Sequence, residues 1–208
     1  AKLWGDGPDS AILEMDVSSD SSYGSYVLQT ADSLQQTGVN IGSNSATAPR
    51  DIVITGMSFT SLEPIDLVLI DRAEGVSISN CNFKGSLASA PSNASDDIAG
   101  LRFDSTAANT CKQIEINNCK FSFLSYGLNT DENIQGVTIQ NSQFNTLYQG
   151  ILLGTGTPDN GGPEGVRIVQ NLFDEIAKQG ISIGAVAFNV SAYNIFLDCG
   201  NDYLGAGN

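Results

Sequence analysis

Asp104 and Asp131 each stand four residues after a glycine, Gly100 and Gly127, that opens a short apolar strand, and Asp71 falls one place off the same column. If such strands stack, carboxylates of neighbouring repeats lie about 5 Å apart, which suits a retaining glycosidase, a calcium site or a pair sharing one proton. The competing reading is a plain turn. The next two repeats place Gly154 and Gly184 at that position, which marks a turn with special backbone angles, and aspartate is common at turns. Tyr126 and Tyr148 sit one and two residues before the glycines of consecutive repeats, Gly127 and Gly150. Exposed, they form a sugar-stacking platform, with Asn, Gln and Ser supplying hydrogen bonds; buried, they fill the core. The candidate catalytic residues are therefore Asp71, Asp104 and Asp131, and the candidate glycan-binding residues Tyr126, Tyr148 and Arg102.

Other chemistries find little support. The chain has no histidine, which removes the commonest metal ligand and the Ser-His and Cys-His nucleophile systems together. Its four cysteines show no C-x-x-C spacing, so zinc is not expected. Gly154-Thr-Gly156 lacks the lysine and the helix of a phosphate loop. Asp96-Asp97, Asp131-Glu132 and Asp174-Glu175 read as solvated turns, and the sequons at Asn93 and Asn189 as chance in an Asn- and Ser-rich chain. No cofactor is expected, with calcium the one ion that the carboxylate column could take.

What must position these residues is a repeat. Five times the chain writes an aliphatic residue, an isoleucine two places later and a phenylalanine five further on. The copies are Ile52-Val-Ile54 to Phe59, Val76-Ser-Ile78 to Phe83, Ile114-Glu-Ile116 to Phe121, Val137-Thr-Ile139 to Phe144 and Val166-Arg-Ile168 to Phe173. A looser sixth runs from Asn189 through Ile195 and Phe196. The starts at 52, 76, 114, 137, 166 and 189 are spaced by 24, 38, 23, 29 and 23 residues, a base period near 23 with insertions. Alternating apolar residues give the strand period, and the abundance of Gly, Asn, Ser and β-branched residues disfavours a helical solenoid. A second apolar strand follows in each copy, as at Asp66–Leu69, Gly100–Phe103, Gly127–Thr130, Gly150–Leu153 and Gly180–Ile183.

A unit this short cannot enclose its own apolar face, so copies must stack with equivalent strands paired in parallel, roughly 4.8 Å apart. The fold class expected is all-β: a parallel β-helix of three sheets, with Ile, Val, Leu and Phe stacked inside. Asn80, Asn118 and Asn141 recur at the turn after the first strand, where asparagine tolerates the left-handed conformation and its amide can bond its stacked equivalent. Cys81 and Cys119 hold one place in consecutive copies, followed by Ser142 and Asn171. They are expected to point inward as free thiols, because parallel Cβ vectors make a bridge awkward.

The Val-x-Ile-x-Asn-Cys-x-Phe phrase with its later Gly-Ile/Leu-x-Leu strand resembles the pectate-lyase-like right-handed single-stranded parallel β-helix, from about Arg50 to Gly200. Enzymes, adhesins and virion proteins share that architecture. Pectate lyases of this fold use an arginine base beside aspartate-held calcium. Arg72 and Arg102 would neighbour Asp71 and Asp104, but the family's arginine motif is not recognisable and no catalytic residue carries over.

Composition narrows the rest. At 208 residues one elongated domain is expected, of about eight coils and on the order of 40 Å long. Residues 1–50 read as irregular opening coils and 51–208 as regular ones, with insertions at 85–97, 105–113 and 154–165 where specificity is most readily carried. The formal charge of −14 disfavours nucleic acid and anionic membranes. It also disfavours polyanionic sugars unless calcium bridges the charges. No apolar run is long enough to span a bilayer. The opening at Ala1 without Met and the stop at Asn208, where another coil would begin, read as a piece of a longer chain. With the Asn/Ser/Gly-rich repeat, acidic balance and absent histidine, this resembles phage tail-spike and tail-fibre virion proteins. The resemblance implies a homotrimer formed through the longer chain, a place in the virion tail that becomes extracellular on release, and contact with cell-surface polysaccharide. The alternatives are a polysaccharide depolymerase, hydrolase or lyase, and a secreted bacterial adhesin.

Overall fold

The computed structural model describes residues 2–4, 29–30, 37–41, 50–60, 66–71, 73–85, 98–104, 111–130, 134–154, 163–184 and 189–205, with side chains described between Arg50 and Gly200 except at 71 and 104. Most of the first 49 residues, Arg72, Asp131 and most of the three insertions lie outside that set. In chain order the strands are β1 (Lys2–Trp4), β2 (Gln29–Thr30), β3 (Thr37–Ile41), β4 (Arg50–Thr55), β5 (Ser58–Thr60) and β6 (Asp66–Asp71). Then come β7 (Glu74–Ser79), β8 (Asn82–Lys84), β9 (Ala99–Asp104), β10 (Cys111–Asn117), β11 (Lys120–Thr130) and β12 (Ile134–Gln140). The series ends with β13 (Gln143–Leu153), β14 (Arg167–Val169), β15 (Leu172–Ile183), β16 (Val190–Ala192), β17 (Ile195–Leu197) and β18 (Asn201–Gly205).

Hydrogen bonding gathers these strands into two sheets. The first runs β1-β4-β7-β10-β12-β14-β16 and the second carries the remaining strands around β3-β6-β9-β11-β13-β15. Each strand pairs in parallel with its equivalent in the next repeat; only β2 against β3 is antiparallel. Ile52 meets Val76, Val76 meets Ile114, and Ile114 meets Val137, so the register is that of the sequence phrase. Two hydrogen-bonded sheets replace the expected three because the second and third strands of a repeat fuse. They are separate as β8 and β9, but β11, β13 and β15 each run unbroken past both.

Left-handed residues make the bends. Gly56, Asn80, Asn118, Asn141, Gln170 and Tyr193 end the first-sheet strands with φ between 52° and 67°. Phe123, Thr146, Glu175 and Asp198 recur inside or after the second-sheet strands with φ between 50° and 59°. Asparagine at the first bend fulfils its expected role: Asn118 Nδ2 donates to Asn80 Oδ1 at 2.7 Å. The next rung slips by one place, with Asn141 Nδ2 donating to Asn117 Oδ1 at 3.1 Å.

Both sheets feed one apolar core in which Ile52, Ile54, Val76, Ile78, Ile114 and Ile116 of the first face Phe83, Leu101, Phe121 and Leu128 of the second. The terminal phenylalanines of the phrase form a ladder, Phe59-Phe83-Phe121-Phe144-Phe173-Phe196, with centroids 4.8 to 5.1 Å apart and rings within 10° of parallel. Such contacts add about 0.5–1.5 kcal/mol per pair to the burial of the rings. The ladder also explains the recurring glycine. A Cβ on Gly127 would stand 2.5 Å from Phe144 Cδ1, so the ring of one repeat occupies the space a side chain would need in the repeat before.

Candidate functional site

Leu101, Phe103 and Leu128 are buried in the core, so the alternation of a strand puts Arg102 and Asn129 on the outer face of the second sheet. They are register partners in adjacent strands. Arg102 is held rather than loose. Its Nε donates to Asp66 Oδ2 at 2.5 Å and its Nη2 to Asp66 Oδ1 at 3.3 Å, while the Ala99 amide donates to the same Oδ1 at 2.7 Å. The two side chains are only 15% and 11% exposed, so this charge-assisted pair is screened less than a surface ion pair. Asn129 is 2% exposed, and its Oδ1 has no hydrogen-bond partner among the described residues.

The aspartate column needs one correction. Asp71 pairs directly with Asp104, in register and not one place off, because Val68 meets Leu101 and Leu67 therefore fills the slot that Gly100 holds in the next repeat. Counting from a glycine misplaces a repeat whose strand has none there. Positions 71 and 104 are register partners at adjacent strand ends, two residues beyond Leu69 and Arg102. Asp131 and Arg72 lie outside the described residues. Gly154, the equivalent of Asp131 one repeat on, has φ of 67°, the backbone angle of a turn.

Tyr126 and Tyr148 do not stack face to face. Tyr126 is 8% exposed and aligns with Gln149, so Tyr148 is offset by one residue. Their rings meet edge-on, 90° apart with centroids at 6.3 Å, and Lys178 Nζ lies 5.5 Å from the half-buried Tyr148 ring. Below them Gln149 Nε2 donates to Gln179 Oε1 at 3.0 Å, a buried amide rung.

Cys81 and Cys119 are buried free thiols, as expected; Cys111 is buried and Cys199 partly so. Their inward column continues as Ser142, Asn171 and Asn194 and turns steadily more polar. Ser142 Oγ accepts from the Cys119 amide at 3.1 Å, Asn171 Oδ1 from the Ser142 amide at 2.9 Å and Asn194 Oδ1 from the Asn171 amide at 3.0 Å. The neighbouring Cys81 and then burial push the Cys119 thiol well above its ordinary pKa, so it stays protonated and is no nucleophile near neutrality.

A cleft of about 230 Å³ opens at the bend between the sheets in the last three repeats. Asn141, Gln143, Gln170, Leu172, Tyr193 and Ile195 line it. Sequence reasoning passed over this place. The readable signal was the asparagine column itself, which ends on a tyrosine, Tyr193, where asparagine or glycine belongs.

Among the described residues no group of three or more Cys, Asp or Glu is placed to hold a metal ion, and no helix is long and apolar enough to cross a membrane. No family model, curated protein or solved structure matches the chain.

Proposed function

We propose that the chain is a right-handed single-stranded parallel β-helix of about eight coils, serving as a structural and receptor-contacting segment of a phage tail-spike or tail-fibre-like virion protein. Its partner is the polysaccharide of a cell surface, and it works as a homotrimer. The observation that carries this reading is the exterior of the first sheet and its bend, where hydroxyls and amides line up along the stack. Ser79 Oγ donates to Thr55 Oγ1 at 3.0 Å, Asn82 Nδ2 to Ser58 Oγ at 3.4 Å and Gln140 Nε2 to Glu115 Oε1 at 3.2 Å. Together with the Asn80-Asn118 and Asn117-Asn141 rungs they present donors and acceptors at the strand spacing of about 4.8 Å. A rigid array of that kind suits the hydroxyls of a linear sugar polymer. Val190 and Leu197, exposed on the outside of the last repeat, supply apolar surface for lateral association.

The competing reading is a depolymerase. It draws on Asp71 and Asp104, paired in register at adjacent strand ends, since a retaining mechanism needs two carboxylates. Incubating the chain with capsular and O-antigen polysaccharides separates the two. Retention of polymer on the immobilised protein at unchanged chain length is the expected result. Shortened chains would favour the enzyme, and no retention of any host polysaccharide would sink the receptor-contacting reading.

A further inference from the structure

The bend between the sheets is a left-handed residue in each of six described repeats, and five of the six occupants, Gly56, Asn80, Asn118, Asn141 and Gln170, are glycine or carry an amide. The sixth is Tyr193, with φ of 58°. An aromatic residue is uncommon in that region, where Phe123 at the other bend joins it with φ of 59°, and backbone strain of this kind persists where something else requires it. Packing within the chain does not supply the requirement, because Tyr193 is 85% exposed. It stands instead at the edge of the cleft, beside Ile195, itself 58% exposed, and Leu172.

Of the cleft's polar side chains, Ser142 and Asn171 are spent on hydrogen bonds within the stack, while three amides have capacity to spare. The side chains of Gln143 and Gln170 make no hydrogen bond among the described residues, and Asn141 spends only Nδ2, on Asn117, so its Oδ1 still accepts. Neither a carboxylate nor a cationic side chain lines the space. An anionic ligand would meet no counter-charge there, in a chain of net charge −14. One aromatic face, two aliphatic side chains and three amides that can each donate or accept fit a ring that is apolar on one face and hydroxylated at its rim. At about 230 Å³ the cleft is smaller than the roughly 300 Å³ lower bound of drug-sized pockets, which suits one ring.

We infer that this cleft is a subsite for a single uncharged pyranose, which stacks its C–H face on Tyr193 and hydrogen-bonds through Asn141, Gln143 and Gln170. The inference deepens the glycan-contact reading and rests on it.

Saturation-transfer NMR on the whole chain tests it, with methyl α-glucopyranoside, methyl β-galactopyranoside, N-acetylglucosamine and galacturonate as probes. Transfer to at least one neutral sugar and not to galacturonate is expected. Tyr193→Phe keeps the stacking face and should hold affinity within about twofold, whereas Tyr193→Asn should lower it at least about tenfold. The asparagine variant is chosen because Asn80, Asn118 and Asn141 occupy the same bend, so the repeat has no reason to unfold. Absence of transfer to every neutral sugar, a preference for galacturonate, or equal binding by wild type and Tyr193→Asn would each overturn the subsite. So would a wild-type oligomer that Tyr193→Asn dissociates without any sugar binding, which would assign the patch to self-contact. Polysaccharide retained equally by both chains would remove this subsite and leave the glycan-contact reading standing; polysaccharide retained by neither would remove both.

Discussion

The middle repeats and the last one share a backbone path and differ in which side of it is apolar. From β7 to β14 the inward position two residues before the bend reads Ile78, Ile116, Ile139 and Ile168, while its outward neighbours are Ser77, Glu115, Thr138 and Arg167. In the last repeat the inward slot is Ser191 and the outward one Val190, and Ile195 and Leu197 replace the outward Leu172 and Asp174. Only Phe196 keeps its place on the phenylalanine ladder. A stack needs each repeat to be apolar inside and has little preference outside. Inversion of that rule in one repeat therefore marks surface kept for something other than folding.

The sharpest way to break the comparison is to cut the ladder at both places. Phe144 has rings 4.8 Å away on both sides and is fully buried, whereas Phe196 has a partner on one side and is partly buried. Phe144→Ala should cost about 3–5 kcal/mol in urea denaturation, the usual range for a truncated core aromatic, and Phe196→Ala about 1 kcal/mol. Equal costs would mean that the last repeat is packed as tightly as the middle ones, and the contrast drawn above would collapse.

How far the sequence could be read follows the same division. Residues that obey the repeat were legible: the inward aliphatics, the phenylalanine ladder, the left-handed asparagines and the buried Cys81 and Cys119 all follow from a strand period and a turn preference. Residues whose neighbours come from an interrupted repeat were not. Asp71 was misaligned by one because Leu67 stands in the glycine slot. The pairing of Arg102 with Asp66 spans 36 residues, and no spacing rule joins them across an insertion. The offset of Tyr126 from Tyr148 is legible from Gly127 and Gly150, which align in β11 and β13, but the edge-on contact of the two rings is not.

A smaller effect sharpens the contrast along the inward column, which passes from thiols in the middle repeats to Asn194 in the last. Cys119 has a folded pKa above its unfolded value, first because of Cys81 and then because of burial. An unfolded cysteine ionises near pH 8.5, so below about that pH both states hold the proton and the contribution to stability is complete. Above it the unfolded chain releases the proton while the folded one keeps it. Stability should therefore fall by up to about 1.4 kcal/mol per pH unit. Comparing urea midpoints of the wild-type and Cys119→Ser chains above about pH 8.5, past the range in which Cys81, lowered by its contact with Cys119, titrates, reads this slope, which should be shallower in the serine variant. A parallel pH dependence in both chains would show that the thiol is not the group responsible.

The smallest expected effect bears most directly on why the last repeat differs. If Tyr193 were there for folding, replacing it would cost stability, as removing the Phe144 ring does. The bend argues the opposite sign. Asparagine adopts φ near 55° at Asn80, Asn118 and Asn141 in this same column, and tyrosine gains no compensating burial at 85% exposure. Tyr193→Asn should therefore raise the unfolding free energy, by about 0.5–1 kcal/mol, through relief of left-handed strain. Thermal and urea unfolding of the two chains under one set of conditions would read it. A gain in stability means that the native residue is kept at the fold's expense, the mark of a surface residue retained for contact with another molecule. A loss of 1 kcal/mol or more would instead place Tyr193 among the residues that hold the repeat together, and the exposed patch of the last repeat would lose its claim to a separate role.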